Sequence, residues 1–248
     1  IKRIPTVGGS ADFAQYIQIL PGVVFSGDQG GQLYVRGGSP IQNKVILDGM
    51  TIYNPFHSIG LFSVFDVDII NSIDVYTGGY PAEYGGRISA IMDIKTRDGN
   101  RKDLAGHIEG GPFASKIMIE GPLKKMSPNS SSSSFIFSTR SSYLDKSAPI
   151  FYDYADSNGL PYVFNDYYGK WSVRSPSGSK FDVFGFSFND DVKFENATNY
   201  NWDAVGIGTK MMFLPSNSSS VVEAHFAWSK YEMTQVETDN SPRFSSIS

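Results

Sequence analysis

The feature that most constrains this chain is an alternation of apolar and polar residues in its second half. Three phenylalanines at every second position, Phe184, Phe186 and Phe188, are separated by Gly185 and Ser187. A period of two residues is the repeat of a β-strand that has one apolar and one polar face. The same period recurs, with looser matches at 105–111, 116–121 and 167–174, in residues 135–143, 181–194, 204–213 and 222–229. The second half is therefore predicted to be an antiparallel sheet of about seven strands.

Periodicity alone leaves two architectures open. In a soluble β-sandwich the large apolar residues would face each other across a dry interior. In an outer-membrane β-barrel they would face lipid, with short turns at one end of the strands and long loops at the other. The connections at 122–133, 175–179 and 215–220 are rich in Ser, Pro or Gly, whereas those at 144–166 and 195–200 are more varied, and 144–166 is the longest. Aromatic residues near strand ends fit the interfacial girdles of a barrel: Tyr167, Tyr168, Trp171, Tyr200, Trp202 and Trp228.

Composition excludes several classes of protein. The 248 residues contain no Cys, so neither a disulfide framework nor a thiolate metal site can form. The net charge of -4, with basic residues scattered along the chain, argues against a nucleic-acid-binding protein. No apolar run approaches the roughly 18 residues that a membrane-spanning helix requires.

The first half has a different composition. Pairs of glycines punctuate it, and only 11 of the 35 aromatic residues lie before residue 104. A short helix beginning at Ser10 and a second one over 62–70 are predicted, together with strands at 33–36, 44–47, 72–76 and 88–96. Asp48-Gly49 predicts a turn directly after one of these strands. We expect a small α+β domain that ends in the charged segment 96–100.

Linked motifs in this first half resemble the plug domain of TonB-dependent outer-membrane receptors. They are Leu33-Tyr34-Val35-Arg36-Gly37-Gly38, Val45-Ile46-Leu47-Asp48-Gly49 and the run from Ile73 through Pro81-Ala82-Glu83-Tyr84-Gly85-Gly86-Arg87. The segments Ile19 to Val23 and Tyr53-Asn54-Pro55-Phe56-His57 are similar to the same family, especially to receptors of Bacteroidota. The resemblance implies a plug domain over residues 1–100, followed over residues 101–248 by the first strands of a transmembrane β-barrel.

A barrel of this family has about 22 strands, so the seven counted here would be its N-terminal portion. The resemblance places a TonB-binding segment upstream of Ile1. It also implies that the stripes of large apolar residues beyond residue 104 contact lipid tails, while charged residues line the interior. The residues expected to face the interior are Lys116, Glu120, Arg140, Lys170, Arg174, Asp191 and Lys193.

Two sets of site residues follow from the resemblance. Arg36 and Arg87, with Glu83 as a partner of Arg87, are expected to latch the plug to the barrel through ion pairs. The turns of the plug motifs are assigned to Gly37, Gly38, Asp48, Gly49, Gly85 and Gly86. The loop 144–166 is expected to face outward and to contact a ligand or partner protein through Phe151, Tyr152, Tyr154, Tyr162 and Phe164.

No enzyme motif is present in the sequence. His57, His107 and His225 lack the spacing of a metalloprotease motif, and neither a nucleophile elbow nor a phosphate-binding loop occurs. The resemblance implies a non-enzymatic, cofactor-free importer in the outer membrane, with TonB, lipid, an unidentified extracellular ligand and surface lipoproteins or other outer-membrane subunits as partners. A receptor-like scaffold of an outer-membrane complex and a soluble β-sandwich adhesin or sugar-binding module are the alternatives.

Overall fold

The computed structural model describes residues 12–26, 32–57, 60, 62–151, 162–193, 199–215, 220–236 and 242–247. The chain forms a small mixed domain followed by one large antiparallel sheet. The elements of the first domain are α1 (Phe13–Gln18), β1 (Val23–Ser26), β2 (Gln32–Val35), β3 (Lys44–Leu47), β4 (Met50–Ile52), β5 (Phe56–His57), β6 (Phe62–Ser63), β7 (Ile70–Tyr76) and β8 (Ile91–Thr96).

The centre of the first domain is a four-stranded sheet with the order β4-β3-β8-β7. Strands β3 and β8 are parallel, and the other two pairings are antiparallel. The β1–β2 and β5–β6 ribbons and α1 complete the domain. The predicted helix over 62–70 is wrong: those residues form β6 and a short 3-10 turn at Val67–Ile69, because the Asp66 carboxylate accepts from Asp68 N and caps a single turn.

The large sheet contains eight consecutive antiparallel strands. They are β9 (Ala105–Gly110), β10 (Ala114–Lys124), β11 (Ser132–Ser142), β12 (Tyr162–Arg174), β13 (Lys180–Lys193), β14 (Asn199–Phe213), β15 (Val222–Val236) and β16 (Pro242–Ile247). The seven expected strands correspond to β9 through β15, and the short β16 is the eighth. A helix, α2 (Leu144–Phe151), occupies the start of the predicted loop 144–166.

One hydrophobic core joins the two parts of the chain. Apolar residues of the first domain pack in a single cluster with residues of the large sheet, including Met118, Ile136, Tyr168 and Phe184. The first domain therefore covers one face of the sheet. The opposite face exposes large apolar side chains, among them Ile117, Ile119, Phe137, Trp171, Ile207, Phe226 and Trp228.

Strand β13 differs from the other strands, because most of its large apolar side chains face the first domain. Its phenylalanines Phe184, Phe186 and Phe188 are buried in the shared core, so the expectation that this stripe contacts lipid is wrong. The cause lies in β14, where Gly206 and Gly208 face the same side. A Cβ atom on either glycine would lie only 2.4 Å from a phenylalanine ring, so the missing side chains make room for the rings. With the even positions turned inward, Asp191 cannot face the interior.

No helix within the described ranges is both long enough and apolar enough to cross a membrane.

Candidate functional site

The interface between the first domain and the large sheet carries the charged side chains. The best-buried group is the Arg140 cluster, which consists of Asp12, His57, Arg140, Asp166 and Asp190. Arg140 projects from β11 toward the first domain and is 12% exposed. Its Nε and Nη2 atoms donate to Asp166 Oδ2 at 2.9 and 2.7 Å. Charge-assisted hydrogen bonds in such a buried position are strong. Removing one partner is costly, because it leaves the other partner as an unpaired buried charge.

Arg140 also binds the first domain directly. Its Nη1 lies 3.3 Å from Asp12 Oδ2, and Nη2 donates to the carbonyl of Ser63. Asp12 is held in place because it caps α1 through Ala14 N at 2.7 Å and accepts from Ser63 N at 3.0 Å. One guanidinium thereby fixes the start of α1 and strand β6 to the large sheet.

His57 is the second basic residue of this cluster, and its side chain is 1% exposed. Its Nε2 lies 2.7 Å from Asp166 Oδ1, and its Nδ1 lies 3.4 Å from Asp190 Oδ2. The ring stacks on Phe164 with centroids 4.1 Å apart. Both contacts are ion pairs when the imidazole is protonated. Burial alone would lower the pKa of His57, but the two carboxylates outweigh it and raise the pKa above 6.5.

A second cluster surrounds Lys116 on β10. Its Nζ lies 2.5 Å from Asp68, 2.9 Å from Glu109 and 3.2 Å from Asp66. The oxygen and nitrogen ligands of Asp68, His107 and Glu109 lie within 4.8 Å of one another, as a metal site would require. The Lys116 ammonium already neutralises two of these three residues, so the cluster is an ion-pair contact between the domain and the sheet.

The Asp98 cluster lies where the chain passes from β8 to β9 and consists of Asp98, Lys170, Arg174 and Lys180. Asp98 is 2.7 Å from Lys180, 2.8 Å from Arg174 and 3.6 Å from Lys170. Burial would raise the pKa of the carboxyl, but the hydrogen bond and charge of Lys180, together with the other cations, lower the pKa to about 2. Asp98 is therefore ionised at any physiological pH.

Asp48 forms a fourth junction between the first domain and the sheet through its turn. The β3–β4 hairpin is closed by Asp48-Gly49, whose φ angles of 47° and 86° fit a two-residue turn with both residues left-handed. The Asp48 carboxylate accepts from Thr96 N at 2.9 Å and from the Tyr168 hydroxyl at 2.7 Å. On the backbone side, Asp48 O lies 3.0 Å from Nε2 of His225 on β15. The turn thus contacts strands β12 and β15 of the sheet.

Arg36, Arg87 and Glu83, the residues expected to form the latch, are all exposed. Within the described ranges none of them forms an ion pair, and Arg87 donates only to the carbonyl of Gly86. Arg36 and Gly37 form a two-residue turn with φ angles of 47° and 81°, and Gly38 bridges back to Val35. The assignment of Arg36 and Arg87 to a latch stays a prediction, whereas the observed ion pairs to the sheet involve other residues.

The other predicted positions have mixed outcomes. Lys116, Glu120, Arg140, Lys170 and Arg174 each make an ion pair at the interface. Tyr162 and Phe164 are buried in β12 instead of lying in an outward loop. Phe151 ends α2, while Tyr152 and Tyr154 lie outside the described residues, as does the side chain of Lys193. Gly85 accepts from Lys44 Nζ, and Gly86 has a positive φ in the same turn.

Sequence reasoning missed Asp12, His57 and Asp98. Asp12 carried a local signal, because an aspartate directly before an apolar helical segment is a common helix cap. Asp98 lies in the charged segment that the sequence indicates only as a domain boundary. His57 carried no local signal, since its partners Asp166 and Asp190 are more than one hundred residues away in the sequence.

The raised pKa of His57 predicts a pH-dependent interface. The protonated His57 stabilises the interface fully below the unfolded pKa of about 6.5. This contribution is lost as the pH rises through the higher pKa of the folded state. Hydrogen exchange of residues 56–57 and 62–64, corrected for the intrinsic rate, should therefore show lower protection in alkaline buffer. His57→Gln should lose about 1.5–3 kcal/mol of this protection in mild acid and should remove the pH dependence. A variant that keeps the wild-type profile would assign the dependence to another group.

Comparison with known proteins agrees with this architecture. Residues 3–90 match the family model described as TonB-dependent Receptor Plug Domain. The fold resembles the enterobactin-bound ferric enterobactin receptor PfeA of Pseudomonas aeruginosa with a TM-score of 0.61 and 13% identity, over 99% of this chain and 43% of that one. It also resembles the FrpB iron transporter from Neisseria meningitidis, with a TM-score of 0.61 and 12% identity over 93% of this chain and 39% of the transporter.

A third similar structure is the copper transporter OprC, with a TM-score of 0.56 and 12% identity over 91% of this chain and 35% of OprC. This chain therefore spans less than half the length of the receptors that it resembles. Among curated proteins, none matches the sequence. The family match covers the first domain, and the structural matches extend over the sheet as well. Residues 3–90 are thus a TonB-dependent receptor plug domain, and the chain as a whole has the fold of the plug and adjoining strands of a TonB-dependent outer-membrane receptor.

Proposed function

We propose that this chain belongs to an importer of the bacterial outer membrane whose plug is moved by the inner-membrane protein TonB. The observation that carries the proposal is the chemistry of the plug–sheet contact. The plug is held through ion-pair clusters around Arg140, Lys116 and Asp98. Such contacts hold firmly at rest, yet water can replace each partner once the groups are pulled apart.

The exposed face of the sheet supports the membrane location. Large apolar side chains project outward from β10, β11, β12, β14 and β15. A continuous apolar surface of this size is unfavourable in water and favourable against lipid tails. The outer membrane has no ATP supply, so the proposed import takes its energy from a mechanical pull by TonB on a segment upstream of Ile1.

The ligand is an open part of the proposal. The similar structures are named as a ferric enterobactin receptor, an iron transporter and a copper transporter, and their low identities concern the fold alone. A growth panel can find the cargo: strains lacking this protein or lacking TonB are compared on ferric siderophores, copper salts and glycans as limiting nutrients. Loss of growth on the same nutrient in both strains is the expected result.

A disulfide tether tests whether plug movement is required. Ser138 Oγ on β11 donates to Asp66 Oδ2 of the plug, so the double variant Asp66→Cys, Ser138→Cys places two thiols across the interface. These 248 residues contain no Cys, so no competing disulfide can form within them. Uptake should stop in the oxidised double variant and return on reduction, while each single variant keeps uptake in oxidant. Uptake that continues through the tethered protein would show that import does not require the plug to move away from β11, and would contradict the proposed mechanism.

A further inference from the structure

A positively charged cavity lies at the end of the sheet where the turns 175–179 and 125–131 connect the strands. Its volume is about 430 Å³, and it is lined by segment 96–102 together with residues of β7, β12 and β13. Five cationic side chains line it against a single carboxylate, Asp98. The cations are Arg97, Arg101, Lys102, Arg174 and Lys180. This local excess contrasts with the net charge of -4 for the whole chain.

Three of these cations already have carboxylate partners. Arg97 is 2.5 Å from Glu120, Arg174 is 2.8 Å from Asp98, and Lys180 is 2.7 Å from the same carboxylate. Arg101 and Lys102, in contrast, have no ion pair within the ranges that the structure describes. The two adjacent side chains are therefore available to an added anion.

The state of Asp98 supports a positive potential in this cavity. Burial of a carboxyl normally raises its pKa, yet the surrounding cations lower the pKa of Asp98 to about 2. Two of the cations that favour the Asp98 anion, Arg174 and Lys180, line the cavity together with Arg101 and Lys102, and they would add to the attraction for a second anion there. A guanidinium presents a planar fork that matches phosphate oxygens, and an ammonium adds a compact charge.

We propose that this cavity binds a phosphoryl group through Arg101 and Lys102. The group can come from a free phosphate or phosphomonoester in the surrounding solution, or from the headgroup of a phospholipid. The proposal does not depend on transport, because it rests on the charges around the cavity alone.

The test uses the full-length protein in nanodiscs of zwitterionic phosphatidylcholine, titrated with inorganic phosphate by calorimetry. The double variant Arg101→Ala, Lys102→Ala should bind phosphate at least tenfold more weakly than the wild type. The matched control is Lys124→Ala, Lys125→Ala, which removes the same charge from the neighbouring segment without altering the cavity lining. Binding in this control should stay within threefold of the wild type.

A second arm separates the two sources of phosphate. Native mass spectrometry of protein from nanodiscs doped with phosphatidylglycerol reports retained lipid. Lipid retention that is lost only in the Arg101, Lys102 double variant, without binding of free phosphate, would assign the site to a headgroup. Equal binding by the wild type and this double variant in both arms would overturn the proposal, and so would an equal loss in the Lys124, Lys125 control.

Discussion

Arg140→Ala is expected to release the N-terminal part of the plug from the strands. The substitution leaves Asp12 and Asp166 buried without their guanidinium, and the loss of one partner from a buried ion pair costs about 3–5 kcal/mol. Hydrogen exchange should therefore accelerate in α1 and in β6, which contact Arg140 through Asp12 and Ser63. Under the proposed function, cells that carry the variant should admit more of a large antibiotic such as vancomycin, at equal levels of the protein.

Two parallel variants sharpen this experiment. Lys125→Ala breaks an exposed pair with Asp103 at 3.7 Å, which should contribute less than about 1 kcal/mol, and should leave both readouts unchanged. Arg87→Ala tests the latch predicted from the sequence. If Arg87→Ala leaks as strongly as Arg140→Ala, the exposed arginine has a holding role that its observed contacts do not explain. If Arg140→Ala exchanges and leaks like the wild type, the Arg140 cluster does not hold the plug.

Gly49→Ala should destabilise the plug more than the same substitution in a similar turn, at Gly37. Gly49 has a φ of 86°, and an added Cβ would lie 1.8 Å from Cε1 of His225. Gly37 provides a matched control, because it holds the second position of a similar two-residue turn with a φ of 81°, but a Cβ added there would meet nothing within 4 Å. Gly37→Ala should cost only the left-handed strain of about 1–2 kcal/mol.

The difference between the two variants isolates the approach of the plug to β15. Gly49→Ala should add roughly 1–3 kcal/mol of steric strain to the same backbone term, visible as faster exchange in β3 and β4. Adding His225→Ala should recover most of this extra loss, because it removes the clashing ring. Equal losses for Gly37→Ala and Gly49→Ala, or no recovery in the double variant, would show that the His225 contact does not constrain the turn.

The sequence predicted the secondary-structure elements better than it predicted the contacts that each element makes. Strand positions in the sheet followed from the period of two, since alternation is a local property of the backbone. The Asp48-Gly49 turn was predicted for the same reason. The face of β13 was not, because the side on which Phe184 and its neighbours lie depends on Gly206 and Gly208 in another strand. A local sequence pattern cannot show that glycines in a neighbouring strand leave space for these rings.

The candidate site shows the same difference between features set by local sequence and contacts set by the whole fold. Lys116, Arg140 and Lys170 could be assigned to the interior because they alternate with apolar residues on their strands. Their partners could not be identified, since Asp12 and Arg140 are 128 positions apart and only the folded topology brings them together. Exposed Arg36 illustrates the converse case, in which a motif correctly indicates a turn without indicating what its side chain contacts.

The two ends of the plug are anchored differently, and this difference determines which contacts a pulling force breaks first. Near its C-terminal end the chain is continuous with β9, and Asp98 ties it to β12 and β13. At the N-terminal end of the described residues, the ion pair that ties α1 to the sheet joins Asp12 to Arg140, beside the shared apolar core. A force applied ahead of α1 would load that ion pair first, while β7 and β8 stay attached to the sheet. The domain should consequently peel from one edge, which would open a gap beside a stationary remainder instead of expelling the whole plug.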